Sequence, residues 1–376
     1  MLIGILGAGQ LGRMLALAGY PLGMRFRFLD PVSSAPAGQL AEQLVAGYDD
    51  EAALTRFARG LDLVTYEFEN VPVAAARFLE RLATVFPPPA ALEAAQDRLA
   101  EKTFFQRLGI PTPPFAAVDT RPALDAALAA IGLPAVLKTR RLGYDGKGQA
   151  VLRAPADVDE AWRTLGGQPL ILEGFVDFAR ELSILAVRGQ DGATACYPLV
   201  ENQHRAGMLR RSLAPAPGVT PELQALAESY ASRALDALGY VGVLAIELFE
   251  TGEGRRIEDR DLAAAHPRSL VVNEMAPRVH NSGHWTIEGA ATSQFENHLR
   301  AVAGLPLGAT APRGHAAMLN LIGATPDPAA LLALPEAHLH LYGKAPRPGR
   351  KLGHVTLRAD DPHTLAERLA QLEALL

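Results

Sequence analysis

Carboxylates set inside apolar strands are the first feature of this chain that asks for a chemical explanation. Glu247 sits in VLAIELFE, and Glu274, behind Asn273, sits in LVVNEMAPR. Burying a carboxylate is costly unless something cationic meets it. Two such strands side by side would offer Glu247, Glu274 and Asn273 as hard oxygen ligands, a set suited to magnesium bridging nucleotide phosphates. A structural salt bridge is the plainer alternative. Directly afterwards, RVHNSGHW packs Arg278, His280 and Asn281 into four positions. These donors suit a small planar oxyanion such as bicarbonate beside a γ-phosphate, against the alternative of a surface loop. A zinc site would want better ligand spacing and thiolates, and Cys196 is the one cysteine.

Basic residues add a second layer. Of 36, five are lysine (Lys102, Lys138, Lys147, Lys344 and Lys351), so each surviving lysine is a candidate for chemistry that guanidinium does not do. Lys138 and Lys147 border LGYDGKGQ, a glycine-rich loop between two strands that fits a flexible cover over a polyphosphate. It is unlike GxxxxGK[ST] before a helix, and a simple hairpin turn is the other reading. KAPRPGRKLGH carries Lys344, Arg350 and Lys351, and is either a phosphate clamp or a solvated basic turn. At the N-terminus, GAGQLG (7–12) follows a strand and opens a helix, with Asp30 closing the next strand. That pattern fits a dinucleotide, a phosphate monoester held by backbone amides, or a bare tight turn.

The elements that must position these residues follow from periodicity. A chain of 376 residues implies two or three domains, and 49% hydrophobic with 20% charged residues implies a folded one. No apolar run approaches the roughly 20 residues that span a bilayer, and the first residues lack the basic start of a signal peptide. A single cysteine and a net charge of −5 point to a reducing, cytoplasmic setting and away from nucleic acid. Strand, helix and strand over residues 2–30, then a helix near 49–59, the strand DLVTYEF and a helix after Pro72 predict a doubly wound parallel sheet. The prolines at 87–89 mark a boundary. Beyond them we expect a helical stretch from Ala90 to Leu108, a compact unit from a strand near 115 through LILEGFV, and the strands ELSILAVRG, ATACYPLV and GMLRRSL. A helix at 221–238 and the buried pair VGVLAIELFE and LVVNEMA follow. The charged stretch at 255–270 reads as an exposed hairpin extension, and the last 70 residues as a small mixed domain ending in a helix at 361–375.

Lys138, GYDGKGQ, EGFV (173–176), Glu181 and the Glu247, Asn273, Glu274 acids together resemble the ATP-grasp superfamily. VTYEFENVP (64–72), GYDGKGQ, NEMAPRVHNSGHWT and RPGRKLGH resemble, in order and over about residues 1–358, the N5-carboxyaminoimidazole ribonucleotide synthetase family of bacterial purine biosynthesis. The resemblance implies an α/β fold: a Rossmann-like pre-ATP-grasp domain (1–92), an ATP-grasp domain (93–303) with a mobile α+β lid at about 113–173, and a small C-terminal mixed domain (304–376). It implies a homodimeric ATP-dependent ligase with Mg2+, carboxylating 5-aminoimidazole ribonucleotide with bicarbonate through carboxyphosphate, with no membrane or nucleic-acid partner.

Residue by residue, the resemblance places Arg98, Lys138, Gly143, Tyr144, Asp145, Gly146, Lys147, Gly148, Gln149, Glu173, Gly174, Phe175, Val176, Glu181, His204, Asn273 and Glu274 at ATP. Glu247 and Glu274 would hold magnesium. Arg278, His280 and Asn281 would hold bicarbonate. Gly9, Gln10, Leu11, Tyr144, Asp145, Arg210, Lys344, Arg350 and Lys351 would face the ribonucleotide, with Asp145 positioning or deprotonating its amine and Lys344 assisting. The 255–270 extension and a C-terminus soon after GHVTL depart from the family pattern. A formate-using glycinamide ribonucleotide transformylase would share the ATP site and differ at RVHNSGHW. An NAD-dependent oxidoreductase would explain only GAGQLG and Asp30, and a non-catalytic nucleotide-binding regulator would not need an oxyanion site.

Overall fold

The computed structural model describes residues 1–143, 146–252 and 269–376. Tyr144 and Asp145, and nearly all of the expected extension at 255–270, lie outside the described residues. The chain opens on a parallel sheet of β1 (Leu2–Leu6), β2 (Arg25–Asp30), β3 (Glu42–Val45) and β4 (Leu63–Tyr66), ordered β3-β2-β1-β4. β1 is a continuous apolar run because both its faces are covered. Ile3 and Ile5 join one core with Phe26 and Phe28, while Leu6 joins another with Val64 and Tyr66. The expected helices are present: Gln10–Gly19 connects β1 to β2, Glu51–Ala58 connects β3 to β4, and Val73–Glu80 follows β4; β3, reached from β2 through a short 3-10 turn at Pro36–Gln39, is an addition to the expected strands.

The predicted helical stretch at 90–108 is two helices, Pro89–Ala95 and Arg98–Arg107. Asp97 breaks it, its carboxylate accepting from the N–H groups of Leu99 and Ala100 as a cap. The restart turns Arg98, Glu101 and Lys102 toward the site. β5 (Phe115–Val118), β6 (Ala135–Thr139), β7 (Gln149–Leu152) and β8 (Leu170–Gly174) then form an antiparallel sheet ordered β5-β8-β6-β7. Helices Arg121–Ile131 and Asp157–Leu165 bury Leu124 and Val158 against its Leu137 and Leu172.

The third sheet is antiparallel and has nine strands among the described residues. They are β9 (Phe178–Arg188), β10 (Thr194–Cys196), β11 (Val200–Arg205), β12 (Met208–Ala214), β13 (Gly242–Thr251), β14 (Ser269–Ala276), β15 (His315–Ile322), β16 (Ala337–Leu341) and β17 (Lys351–Ala359). The order is β14-β13-β9-β11-β12-β15-β17-β16, with β10 beside β9. ATACYPLV, expected as one strand, is two, because Pro198 has no N–H for a ladder. Helix Pro221–Ala237 packs on β9, β13 and β14, and helix Gln294–Val302 on β9 and β13. Through the β12–β15 pairing the sheet runs without a break into the C-terminal strands, and helix Pro362–Glu373 closes the chain. Among the described residues no helix is long and apolar enough to cross a membrane.

Candidate active site

β13 and β14 pair in a register that sets Glu247 opposite Glu274. Burial, then the Glu274 charge, pushes the Glu247 carboxyl up to about 7. Desolvation acts the same way on Glu274, but Arg98, donating from Nη1 to Oε2 at 2.7 Å, outweighs it and holds that carboxyl at about 2. Asn273 Nδ2 donates to Glu247 Oε2 at 3.4 Å. Two like charges facing each other, one deprived of a cation, fit a divalent ion that takes its other ligands from phosphates and water. Among the described residues no group of three or more His, Cys, Asp or Glu could hold a metal unaided.

Beside the acids lies a charged triad. Lys138 on β6 donates from Nζ to Glu173 Oε2 on β8 at 2.9 Å, and Lys102 Nζ stands 3.5 Å from the same oxygen. Lys102 is fully buried and also donates to the carbonyls of Val272 and Asn273 on β14. Burial lowers the Lys102 ammonium, while burial raises Glu173 less than the two lysines lower it. Glu101, against the Met275 N–H, is pushed up to about 8 by burial and by Glu274.

Arg278, Glu247, Glu274, Arg98, Gly143 and His280 line one cleft. Arg278 Nε donates to Glu69 just beyond β4, and Nη1 donates to the Val279 carbonyl at 2.9 Å. Burial, then Arg278, pushes His280 down to about 3, so the ring is neutral at physiological pH. Its backbone is clamped by fully buried Gln294, which accepts from His280 N–H at 2.9 Å and donates to His280 O at 2.6 Å. Both polar atoms of the Asn281 side chain are buried without a partner. Asn281 is not among the residues that line the cleft, although it directly follows His280, which does.

The glycine loop does something the sequence did not suggest. Glu67, at the end of β4, accepts from the N–H groups of Gly9 and of Gly12, the latter at 2.7 Å. Asp30 accepts from Ala8 N–H at 2.8 Å. A side chain at Gly9 would bring its Cβ to 2.4 Å from Glu67 Oε1, so that glycine admits an internal carboxylate. The amides of Gln10 and Leu11 remain at the helix start, and Gln10 Oε1 accepts from Lys344 Nζ at 2.5 Å. That bond joins the C-terminal basic loop to the first domain. Lys351 adds its charge to those acting on both Lys344 and His280, and Arg350 Nη1 bonds Ala345 O within the loop.

Gly146, in the described part of the glycine-rich loop, lies against the turn of the hairpin β11–β12. Gly146 has φ +75°, and a Cβ there would meet Gly207 at 2.9 Å; Gly148, at φ +71°, would strike Thr139 Oγ1 at 2.6 Å. Arg98 Nη2 donates to Gly143 O at 3.3 Å. Glu173 and Gly174 end β8, and Phe175 and Val176 lead into β9. On β9, Glu181 touches the His204 ring of β11 as an ion pair. Arg210 is not among the cleft residues; with His204 it lines a second cavity bounded by Asn320, Ile322 and Leu376. Sequence reading passes over Glu67, Glu69, Glu101 and Gln294. Glu67 and Glu69, in VTYEFEN, carry a signal related to that of Glu247: acids directly after an apolar strand, where Glu247 lies within one.

The chain matches three domain families: the ribonucleotide synthetase preATP-grasp domain over residues 1–96, the ATP-grasp domain over 103–295, and the phosphoribosylaminoimidazole carboxylase C-terminal domain over 316–368. It is 56% identical to the N5-carboxyaminoimidazole ribonucleotide synthase of Pseudomonas aeruginosa, over 100% of this chain and 99% of that one. The crystal structure of the Thermus thermophilus synthetase is 61% identical, with a TM-score of 0.93 over 100% of this chain and 98% of that chain. An Aspergillus clavatus synthase solved with ADP and 5-aminoimidazole ribonucleotide is 30% identical, with a TM-score of 0.88 over 100% and 98%. These likenesses fit the carboxylating reading and not the formate-using sibling. The chain belongs to the N5-carboxyaminoimidazole ribonucleotide synthetase family and is an ATP-dependent ligase of purine biosynthesis.

Proposed function

We propose that the cleft converts ATP, bicarbonate and 5-aminoimidazole ribonucleotide into N5-carboxyaminoimidazole ribonucleotide, ADP and phosphate. The observation that carries the residue roles is the meeting, in one cleft, of the Glu247 and Glu274 pair with Arg278 and His280. Lys138 meets the ATP phosphates, and the loop Gly143–Gln149, with Tyr144 and Asp145, covers them. Glu173 to Val176, Glu181 and His204 also contact ATP. Glu247 and Glu274, with Asn273 beside them, would hold Mg2+, which would supply charge neutralisation to the phosphates.

A bicarbonate oxygen attacks the γ-phosphorus, the bond to the β,γ-bridging oxygen breaks, and ADP leaves as carboxyphosphate forms. Arg278 balances the charge of that anion, while His280 and Asn281 hydrogen-bond its oxygens. The exocyclic amine of the ribonucleotide then bonds to the carboxyl carbon, of carboxyphosphate or of the carbon dioxide it releases. Phosphate departs, and the amine proton passes to Asp145. Gln10 and Leu11 amides, Lys344, Arg350 and Lys351 hold the ribonucleotide phosphate. The family resemblance supports a cytoplasmic homodimer. The test is ADP release from ATP and magnesium: it should require the ribonucleotide and rise with bicarbonate. Release indifferent to both overturns the reading.

A further inference from the structure

What His280 can do depends on which ring nitrogen carries its proton, and side chains behind the cleft decide that. β9, β11 and β12 are neighbours and bring Ser183, Asn202 and Ser212 together beneath the short turn Asn281–Gly283. Ser183, Ser212 and Ser282 are fully buried, and Asn202 nearly so. Ser212 Oγ donates to Asn202 Oδ1 at 2.8 Å, Asn202 Nδ2 donates to Ser183 Oγ at 2.9 Å, and Ser183 Oγ donates to Ser282 Oγ at 2.8 Å. An amide nitrogen only donates, so Ser183 Oγ accepts from Asn202 and its single hydrogen is the one that serves Ser282 Oγ. The Ser282 hydroxyl is left to donate to His280 Nδ1, 2.8 Å away. Independently, the Ser282 backbone N–H points at the same nitrogen from 3.4 Å, His280 being the cap of the turn. A ring nitrogen that accepts two donors carries no hydrogen, which leaves the proton on Nε2, facing Glu247 Oε1 at 3.5 Å.

We propose that Ser212, Asn202, Ser183 and Ser282 are positioning residues that hold His280 as its Nε2–H tautomer, so that it offers the cleft oxyanion a hydrogen-bond donor and not a base. The inference rests on the reading of His280 at bicarbonate given above. Because the chain of bonds ends on Ser212, which is fully buried, it orients the ring and gives no proton route to solvent. The amine proton must then leave through another group, which is the role assigned to Asp145.

The test uses the full-length enzyme with 15N-labelled histidine, read by long-range 1H–15N correlation near neutral pH, with His280→Gln serving only to assign the ring. The wild type should show His280 protonated at Nε2 alone. Ser183→Ala, which cuts the chain without adding charge, should mix the tautomers and lower kcat by about tenfold, the weight of one buried hydrogen bond, with KM for ATP unchanged. A wild-type ring protonated at Nδ1, or a Ser183→Ala enzyme with unaltered ring signals and kcat, overturns the proposal. Tautomers that mix while kcat stays at the wild-type value would leave the bond chain standing and overturn the placement of His280 at the reacting anion. The wild-type spectrum decides the tautomer even where a variant fails to fold.

Discussion

Glu173 stands between two lysines in the most enclosed part of the site, and Glu173→Gln keeps its shape while removing its charge. Burial would raise this carboxyl above 4.5, yet Lys102 and Lys138 bring it down to about 2. At about 1.4 kcal/mol per tenfold change in proton affinity, the charged form contributes ~3 kcal/mol to stability at neutral pH. The value in the folded chain lies below that in the unfolded chain. The contribution is therefore complete above about pH 4.5 and is lost as pH falls toward 2. Removing the carboxylate also leaves two ammonium groups facing each other with little solvent, so the deficit should be no smaller than this figure. Urea unfolding followed through buried Trp285 measures it. The variant should be less stable by at least ~3 kcal/mol at pH 7, with the gap closing as the pH drops below 4.5. A gap under about 1 kcal/mol at pH 7, the worth of an ordinary hydrogen bond, would refute the reasoning. So would a gap that is the same in acid as at neutrality.

Lys138→Ala should lower ATP-dependent turnover by about 100-fold or more, measured as ADP release at saturating bicarbonate. Arg278→Ala should leave nucleotide binding, read by calorimetry, within about twofold of wild type while bicarbonate-dependent turnover falls by about 100-fold. Burial lowers the Lys344 ammonium to about 8, so its charge is present below that pH and lost above it. KM for the ribonucleotide should accordingly rise above pH 8 in the wild type. It should stay flat in Lys344→Arg, whose charge persists.

Those parts of the site whose members lie close together in the chain are legible in the amino-acid sequence. GYDGKGQ carries its glycines and lysine in one loop, RVHNSGHW its three donors in one turn, and the acids of VLAIELFE and LVVNEMA betray themselves by interrupting apolar strands. What supports them is not legible there, because it is made by contacts between distant segments. Arg278 is held by Glu69, 209 positions away, and Ser282 by Ser183, 99 positions away. A buried serine in ELSILAVRG looks like an ordinary strand residue until its partner is known. The break at Asp97 does have a local signal, since Asp ahead of RLAEK is a helix cap, but it is masked by lying in the middle of a helical pattern.

The glycine loop marks the limit of motif reading more sharply. GAGQLG and Asp30 have the spacing of a dinucleotide fingerprint, and the physics behind that fingerprint is only that amides at a helix N-terminus attract an anion. Here two of those amides, on Gly9 and Gly12, are met by Glu67, and Asp30 is spent on the N–H groups of Ala8 and Val32. A pyrophosphate would have to displace a carboxylate that 6% exposure leaves little room to move. The residue that separates the readings is therefore not in the motif but at the end of β4. An acid there turns a cofactor loop into an internal brace, and the ribonucleotide phosphate proposed for Gln10, Leu11 and Lys344 would use only the part of the loop that the acid leaves, where Lys344 already meets Gln10.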